Sequence, residues 1–600
     1  ANPLGFFREI SDARIKDLSL SEINITSTST TQLYVGSLAG KAENSTITNV
    51  DVTGVVVSAG KGTIPLGGSV VVSGGVVGQS TGCTIDGSDL RLYISSQGQY
   101  IGGVAGLCYG KTVIKNCKLG KGSELMCLMN NAGGIAGAIL EETEVSDCEC
   151  HGAVKGKYAM VGGIVGQVFC GSVKNCLVSS SASVLGDVGN ATASDSYAGF
   201  GGFVGKINVT STSKKAVIEN CSVYCDVTAN DTIGGIVGFT ASAIDVPTAI
   251  VNCLYSGKLT ALYKNNYAYS LAGGIVGWAG NPANAVLYIA NCACIVKGIV
   301  TNIVAATSGC VGGLFGYSQN KNDITSCYST ITADQIVTTD GAQIATTSMA
   351  NYGGLAGRSA GNASGNEYNQ CYYSSAVKAV GMGASSQTLD NAYAVESLKE
   401  ASVTTGLESG SSAFHARSLG FTASSWTTNT DGYFVPSTVK PDTNPGGGTP
   451  LKVSLIGDSI STFNGYLPTG YNTFYPTGDV VSASQTYWYR LIYNNMQNAV
   501  LEKNIAWTGT LVTRSLNTAM ASQHWYGHDF NARFIKDGMG NPDVILVHGG
   551  TNDVSSRGYN EAQVKLYKSL ATNGSAYPSD AEFAEVFAVV DAAATRVPLE

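Results

Sequence analysis

The first 375 residues carry a recurring pattern of apolar and polar positions. A signature Gly-Gly-apolar-apolar-Gly starts at Gly74, Gly102, Gly133, Gly162, Gly201, Gly234, Gly273, Gly312 and Gly353, at intervals of 28 to 41 residues. A looser copy, Gly36-Ser37-Leu38-Ala39-Gly40, precedes them. After each signature comes a segment such as Val217-Ile218-Glu219-Asn220-Cys221-Ser222-Val223, in which apolar and polar residues alternate. Alternation with period two marks a half-buried strand, so each repeat predicts two or three short strands joined by turns. A single unit of this kind cannot bury its own apolar face, and stacked copies must share one continuous core. The predicted fold of residues 1–375 is therefore an all-β repeat solenoid, β-helix-like. Its Gly pairs predict corners of close backbone approach or positive φ.

After Cys371-Tyr372-Tyr373 the period stops. Residues 392–399 read as a short helix, and the apolar residues Phe414, Phe421, Trp426 and Phe434 follow. An apolar solenoid end must be covered, which predicts a terminal cap over residues 376–440. Residues 441–450, rich in Pro and Gly, offer nothing apolar to bury and predict a linker. From residue 451 to 600 the pattern becomes strand–helix alternation, that of an α/β domain with a parallel sheet. Strands are predicted at 452–456, 501–506 and 543–547, and helices at 486–496 and 580–595. The molecule is thus multidomain.

Composition narrows the function. Charged residues are only 13% and the net charge is −8, so no basic surface points to nucleic acid. No apolar run reaches the ~18 residues of a membrane helix, and the first residues lack a signal-peptide pattern. All 16 Cys lie between Cys83 and Cys371 and so belong to the repeats. Eight of them, Cys117 to Cys371, fall 10 to 16 residues after a signature, usually directly behind Asn. In two early copies Leu18 and Val50 take that slot, which predicts a small buried apolar site and stacked interior thiols ahead of disulfides or metal ligation. The repeats offer mainly Ser, Thr, Asn and scattered single charges, a poor basis for catalysis. The 30 Tyr of the chain suit binding along an extended surface or simple packing at strand edges.

The candidate chemistry lies in the last 150 residues. Gly457-Asp458-Ser459 follows the apolar run Val453-Ser454-Leu455-Ile456, where a strand turns toward a helix and a serine hydroxyl can sit beside backbone N–H donors. Thr508-Gly509 and Gly550-Thr551-Asn552-Asp553 follow the two later strands. In open α/β sheets function gathers at the carboxyl ends of strands, so the three loops can converge on one cleft. Ser459 would attack an acyl carbonyl, with the N–H groups of Ser459 and Gly509 and the Asn552 amide as donors to the oxyanion. Gly457, Asp458, Gly550 and Asp553 support these loops.

These three loops resemble the first three blocks of the SGNH (GDSL) hydrolases, a family of serine esterases. The resemblance implies a three-layer, flavodoxin-like α/β fold and no cofactor or metal. It also implies an Asp-x-x-His motif near the domain end, with His as general base, and residues 451–600 contain none. The expectation is that the domain is incomplete here, its catalytic Asp and His lying outside the sequence, and that these 600 residues alone are nearly inactive. Of the His residues present, His548 is expected to pack within its strand. His524 and His528 are expected on a loop touching substrate. The repeats, with Gly-Gly-Ile-Val-Gly at 234–238 and Gly-Gly-Leu-Phe-Gly at 312–316, resemble the GLUG-motif repeats of secreted and surface-attached bacterial proteins. Together the resemblances imply an extracellular or cell-surface esterase that deacylates polysaccharide, with the repeats binding cell-surface or host glycan or acting as a spacer. The alternative is an adhesin or phage-tail-like glycan-binding protein in which the esterase domain is accessory.

Overall fold

The computed structural model describes residues 2–442 with interruptions, the longest at 59–70, 188–197, 338–350 and 396–424. It then describes residues 451–506 with short interruptions, and 540 and 542–548. The chain divides into two compact units, Ala1–Thr443 and Asn444–Glu600.

In the first unit each turn of chain lays one strand into each of two parallel sheets, of 11 and 12 strands, and up to three short strands into a third parallel sheet of 27. The repeat of Gly234 shows the plan. Thr232–Gly234 pairs with Ser270–Gly273, Val237–Thr240 pairs with Val276–Ala279, and Thr248–Val251 pairs with Leu287–Ala290. Every pairing is parallel and joins equivalent residues of successive repeats, so one alternation of apolar and polar positions is read again at each level. Ile233, Ile236, Val237, Ile250, Cys253 and Leu259 all point into one core that runs the length of the array. The sequence pattern specifies this register because a slip of one residue would turn the apolar set outward.

The glycine signature sits at the corner between the first two sheets. A Cβ on Gly234 would lie 1.9 Å from the Val237 carbonyl oxygen, and one on Gly235 would lie 2.1 Å from that of Gly274 in the next turn. Close backbone approach therefore excludes side chains here, and none of the signature's glycines falls among those with positive φ. Positive φ appears instead at the residue before the cysteine, at Asn175, Asn220, Asn252 and Asn291 among others. Asn tolerates this left-handed conformation. Its side chain also bonds the Asn of the adjacent turn: Asn220 Nδ2 donates to Asn175 Oδ1 at 3.0 Å, Asn252 to Asn220 at 3.0 Å and Asn291 to Asn252 at 3.1 Å.

All 16 cysteines are buried, and none forms a disulfide. Those behind the Asn ladder stack one per turn, so that the Cys148 N–H meets Cys176 Sγ at 3.4 Å and the Cys292 N–H meets Cys327 Sγ at 3.4 Å. Elsewhere in the same core, burial pushes the Cys150 thiol up to about 12.

Two expectations change. Residues 392–399 were to be helical, but Thr388–Val395 is a strand paired with Glu367–Ser374, and Val380–Met382 pairs with Ala356–Ala360. The sheets thus continue past residue 375, because pairing to the open edge outweighs the weak local helical preference of Ala-Tyr-Ala. Of the expected 376–440 cap, residues 380–382 and 388–395 thus lie on the array's last turn, whereas the residues described after 424 lie elsewhere. Trp426, Phe434 and Val435 pack against Leu254, Ala293, Tyr328 and Tyr372, one residue from each of four successive turns, and so lie along a flank. From there the chain runs back. The Lys440 carbonyl accepts from Ser222 Oγ at 2.7 Å and from the Tyr224 hydroxyl at 3.1 Å, and Asp442 accepts from Ser179 Oγ at 2.9 Å.

In the second unit, Leu451–Gly457 is the central strand of a three-stranded parallel sheet, with Ala499–Asn504 on one side and Val544–His548 on the other. These match the three strands expected from the sequence to within two residues. Val453 and Leu455 are wholly buried with Trp488, Ile492 and Ala499, as a central parallel strand requires. The expected helix at 486–496 is described only as a short piece at Tyr487–Tyr489, and 580–595 lies outside the described residues. Among the described residues no helix is long and apolar enough to cross a membrane.

Candidate active site

The sheet order places the first strand between the second and the third, so the chain leaves its carboxyl end to opposite sides in turn. A crevice opens where the strand order reverses in this way. Gly457-Asp458-Ser459 stands there. Gly457 pairs with His548 across the sheet, and a Cβ at Gly457 would lie 2.2 Å from Ser461 Oγ and 2.9 Å from the His548 carbonyl oxygen. Only glycine fits.

Asp458 is wholly buried and caps the single 3-10 turn Ser459–Ser461. Its Oδ1 accepts the Ile460 N–H at 3.2 Å, and its own N–H donates to the His548 carbonyl at 3.2 Å. The far side of the turn is held as well. Asn504 Nδ2 donates to the Ser461 carbonyl at 2.9 Å, and the Tyr487 hydroxyl lies 2.8 Å from Ser461 Oγ. Burial, opposed by that hydrogen bond and aided by the Asp458 charge, pushes Tyr487 up to about 12, so it remains a neutral hydroxyl at ordinary pH. Within this frame Ser459 is half-buried, open on one side, and none of the described residues hydrogen-bonds its Oγ. The arrangement presents a half-buried serine on a turn fixed by Asp458, Asn504 and Tyr487 and tied to the neighbouring strand through the Asp458 N–H, a placement suited to a nucleophile of acyl transfer.

His548 departs from its expected role. It lies at the end of its strand, but its side chain is 40% exposed and faces the turn rather than the core. Its Nδ1 stands 3.9 Å from Asp458 Oδ1, and its ring lies 4.5 Å from that of Tyr487, tilted by 37°. Position alone could have flagged it, since a His at a strand's carboxyl end borders the crevice. Ser461, Tyr487 and Asn504 carried no such signal. Gly509, Gly550, Asn552, Asp553, His524 and His528 lie outside the described residues. No cluster of His, Cys, Asp and Glu suited to a metal occurs among the described residues.

The described sheet and this turn form a parallel three-stranded unit with a serine just past the end of its central strand. Comparison with known families agrees: residues 451–575 match the family described as GDSL-like Lipase/Acylhydrolase, which supports ester-hydrolase activity for this part of the chain. The chain is also similar to a crystal structure of a candidate GDSL-like lipase from Bacteroides uniformis, at 26% identity over 24% of this chain and 79% of that one. The TM-score of 0.15 gives that likeness no weight for the fold. No curated protein matches.

Proposed function

We propose that the protein is a secreted or cell-surface serine esterase that removes acetyl or similar acyl groups from polysaccharide. The observation that carries this reading is Ser459, accessible at the end of the central strand on a turn built around a buried Asp458, inside the segment that matches the acylhydrolase family. Ser459 Oγ attacks the acyl carbonyl, and the N–H groups of Ser459 and Gly509 with the Asn552 amide receive the oxyanion. The strand order found here, second–first–third, supports a flavodoxin-like sheet. The three parallel sheets of the first unit support a β-solenoid, whose long flanks suit the display of the esterase or contact with an extended glycan. The substrate class and location rest on the company that such repeats keep.

The Asp-x-x-His pair of the family is not among residues 451–600. A serine without its base is a weak nucleophile, and loss of one triad member costs roughly a thousandfold or more in rate. The 600-residue chain is therefore expected to hydrolyse a chromogenic acetyl ester close to background, and a longer version extended to include the motif to hydrolyse it fast, with Ser459→Ala returning the rate to background. Rapid hydrolysis that survives Ser459→Ala in the longer chain would sink the reading. Rapid hydrolysis by the 600 residues, abolished by Ser459→Ala, would keep the nucleophile and assign the base to a residue already present.

A further inference from the structure

Asp458 presents an electrostatic problem. A carboxylate with no exposed surface is costly unless paired, and one of its oxygens, Oδ2, is buried without a hydrogen-bond partner among the described residues. The group that faces it is His548. Its Nδ1, also buried and without a hydrogen-bond partner among the described residues, stands 3.9 Å from Asp458 Oδ1. The backbones of the two residues are already joined, because the Asp458 N–H donates to the His548 carbonyl. Tyr487 completes the enclosure, its ring against the imidazole and its hydroxyl on Ser461. The loop that opens the active site and the strand that ends beside it are thus coupled through one carboxylate–imidazole contact.

We propose that His548 is a positioning residue for the nucleophile. It acts through Asp458: the imidazole places a polar edge 3.9 Å from Oδ1 of the buried carboxylate, which supports the Oδ1 contact with the Ile460 N–H and the turn that aims Ser459. The chemical consequence is that the field felt at Ser459 depends on His548. Without the imidazole dipole the buried Asp458 carboxylate is less well solvated, one residue from the nucleophile, and it opposes the negative charge that any nucleophilic oxygen or sulfur must carry. The inference rests on the reading of Ser459 as the nucleophile but can be tested apart from turnover.

The test replaces the hydroxyl by a thiol. In full-length Ser459→Cys the sixteen native cysteines are buried, so the introduced thiol is the accessible target for iodoacetamide. Adding His548→Asn is expected to slow its alkylation about tenfold at neutral pH, the middle of the range for directly coupled residues. Asp458→Asn keeps an Oδ1 acceptor but removes the charge. In that background His548→Asn is expected to change the rate less than about twofold. Equal slowing in both backgrounds, or none in either, overturns the proposal. His548→Gln, which leaves the strand backbone and much of the side-chain volume in place, repeats the measurement should the Asn variant unfold. A parallel reaction with a fluorophosphonate of a version extended to include the Asp-x-x-His motif, read as mass added at Ser459, reports on the nucleophile itself: fluoride leaves as the serine oxygen joins phosphorus and its proton passes to the base. Failure of that reaction with a positive thiol cycle faults the esterase reading and not the coupling, and the reverse pattern faults the coupling alone.

Discussion

At the level of single residues, the tripeptide Gly457-Asp458-Ser459 was recognisable from sequence, but the reasons for its first two members were not. Gly457 is required by space. Any Cβ there meets Ser461 Oγ at 2.2 Å and the backbone of His548 at 2.9 Å, and neither can retreat without breaking the Tyr487 contact or the sheet. Gly457→Ala is therefore expected to destabilise the second unit by about 2 kcal/mol. In a version extended to include the Asp-x-x-His motif it should also abolish phosphonylation of Ser459, which a denaturant melt and a mass measurement would check together. A variant of wild-type stability and reactivity would show that the turn has more room than the geometry allows. Asp458 is there to cap a 3-10 turn, which is a local contact, and to meet His548, which depends on a strand that arrives ninety residues later. No local pattern predicts such a meeting. Of the remaining candidates, His524, His528, Gly509 and Asn552 lie outside the described residues.

Among the elements, the repeats were the most legible part of the chain, because each alternating segment is read against an identical neighbour. The sequence puts the glycines at corners of close approach or positive φ and Asn before most of the eight Cys; of the two alternatives the glycines take close approach, and positive φ falls to the residue before the Cys. Parallel stacking explains this division. Signature glycines face the backbone of the next turn, where lack of volume is what matters, while the Asn corner faces outward and can spend its amide on a ladder. Asn252→Ala loses two such bonds, to Asn220 and from Asn291, and must hold Ala at a φ of 52°. A loss of about 2 kcal/mol follows, and about 1 kcal/mol for Asn252→Gly, which relieves the backbone but not the ladder. Urea unfolding of the two variants would show this order, and equal stabilities would show that the ladder contributes nothing. The helix expected at 392–399 failed for the complementary reason. Its residues have mild helical preference, but the preceding turn offers an open parallel edge, and pairing there satisfies a whole row of backbone groups.

For the whole molecule, the shared core makes a prediction of its own. The cysteine stack is sealed by every turn above and below it, so the native chain should show no thiol reactive toward a thiol-selective reagent, and all 16 should become reactive in denaturant. Early modification of a subset would mean that part of the array opens separately. The period of the signature and the alternation after it determined, without any structure, that residues 1–375 stack as strands around one core. The ordered strand-end motifs likewise determined an α/β esterase-like unit after residue 451. Both follow from short-range patterns, since strand periodicity and turn chemistry are written in neighbouring residues. Tertiary structure alone decided the rest. It laid Trp426 and Phe434 along the flank of the array instead of across its end, and carried Asp442 back to Ser179. It also set His548 against Asp458. Those contacts join residues far apart in the chain, and what selects them is which apolar surface remains uncovered, and which buried charge remains unpaired, once the local elements have formed.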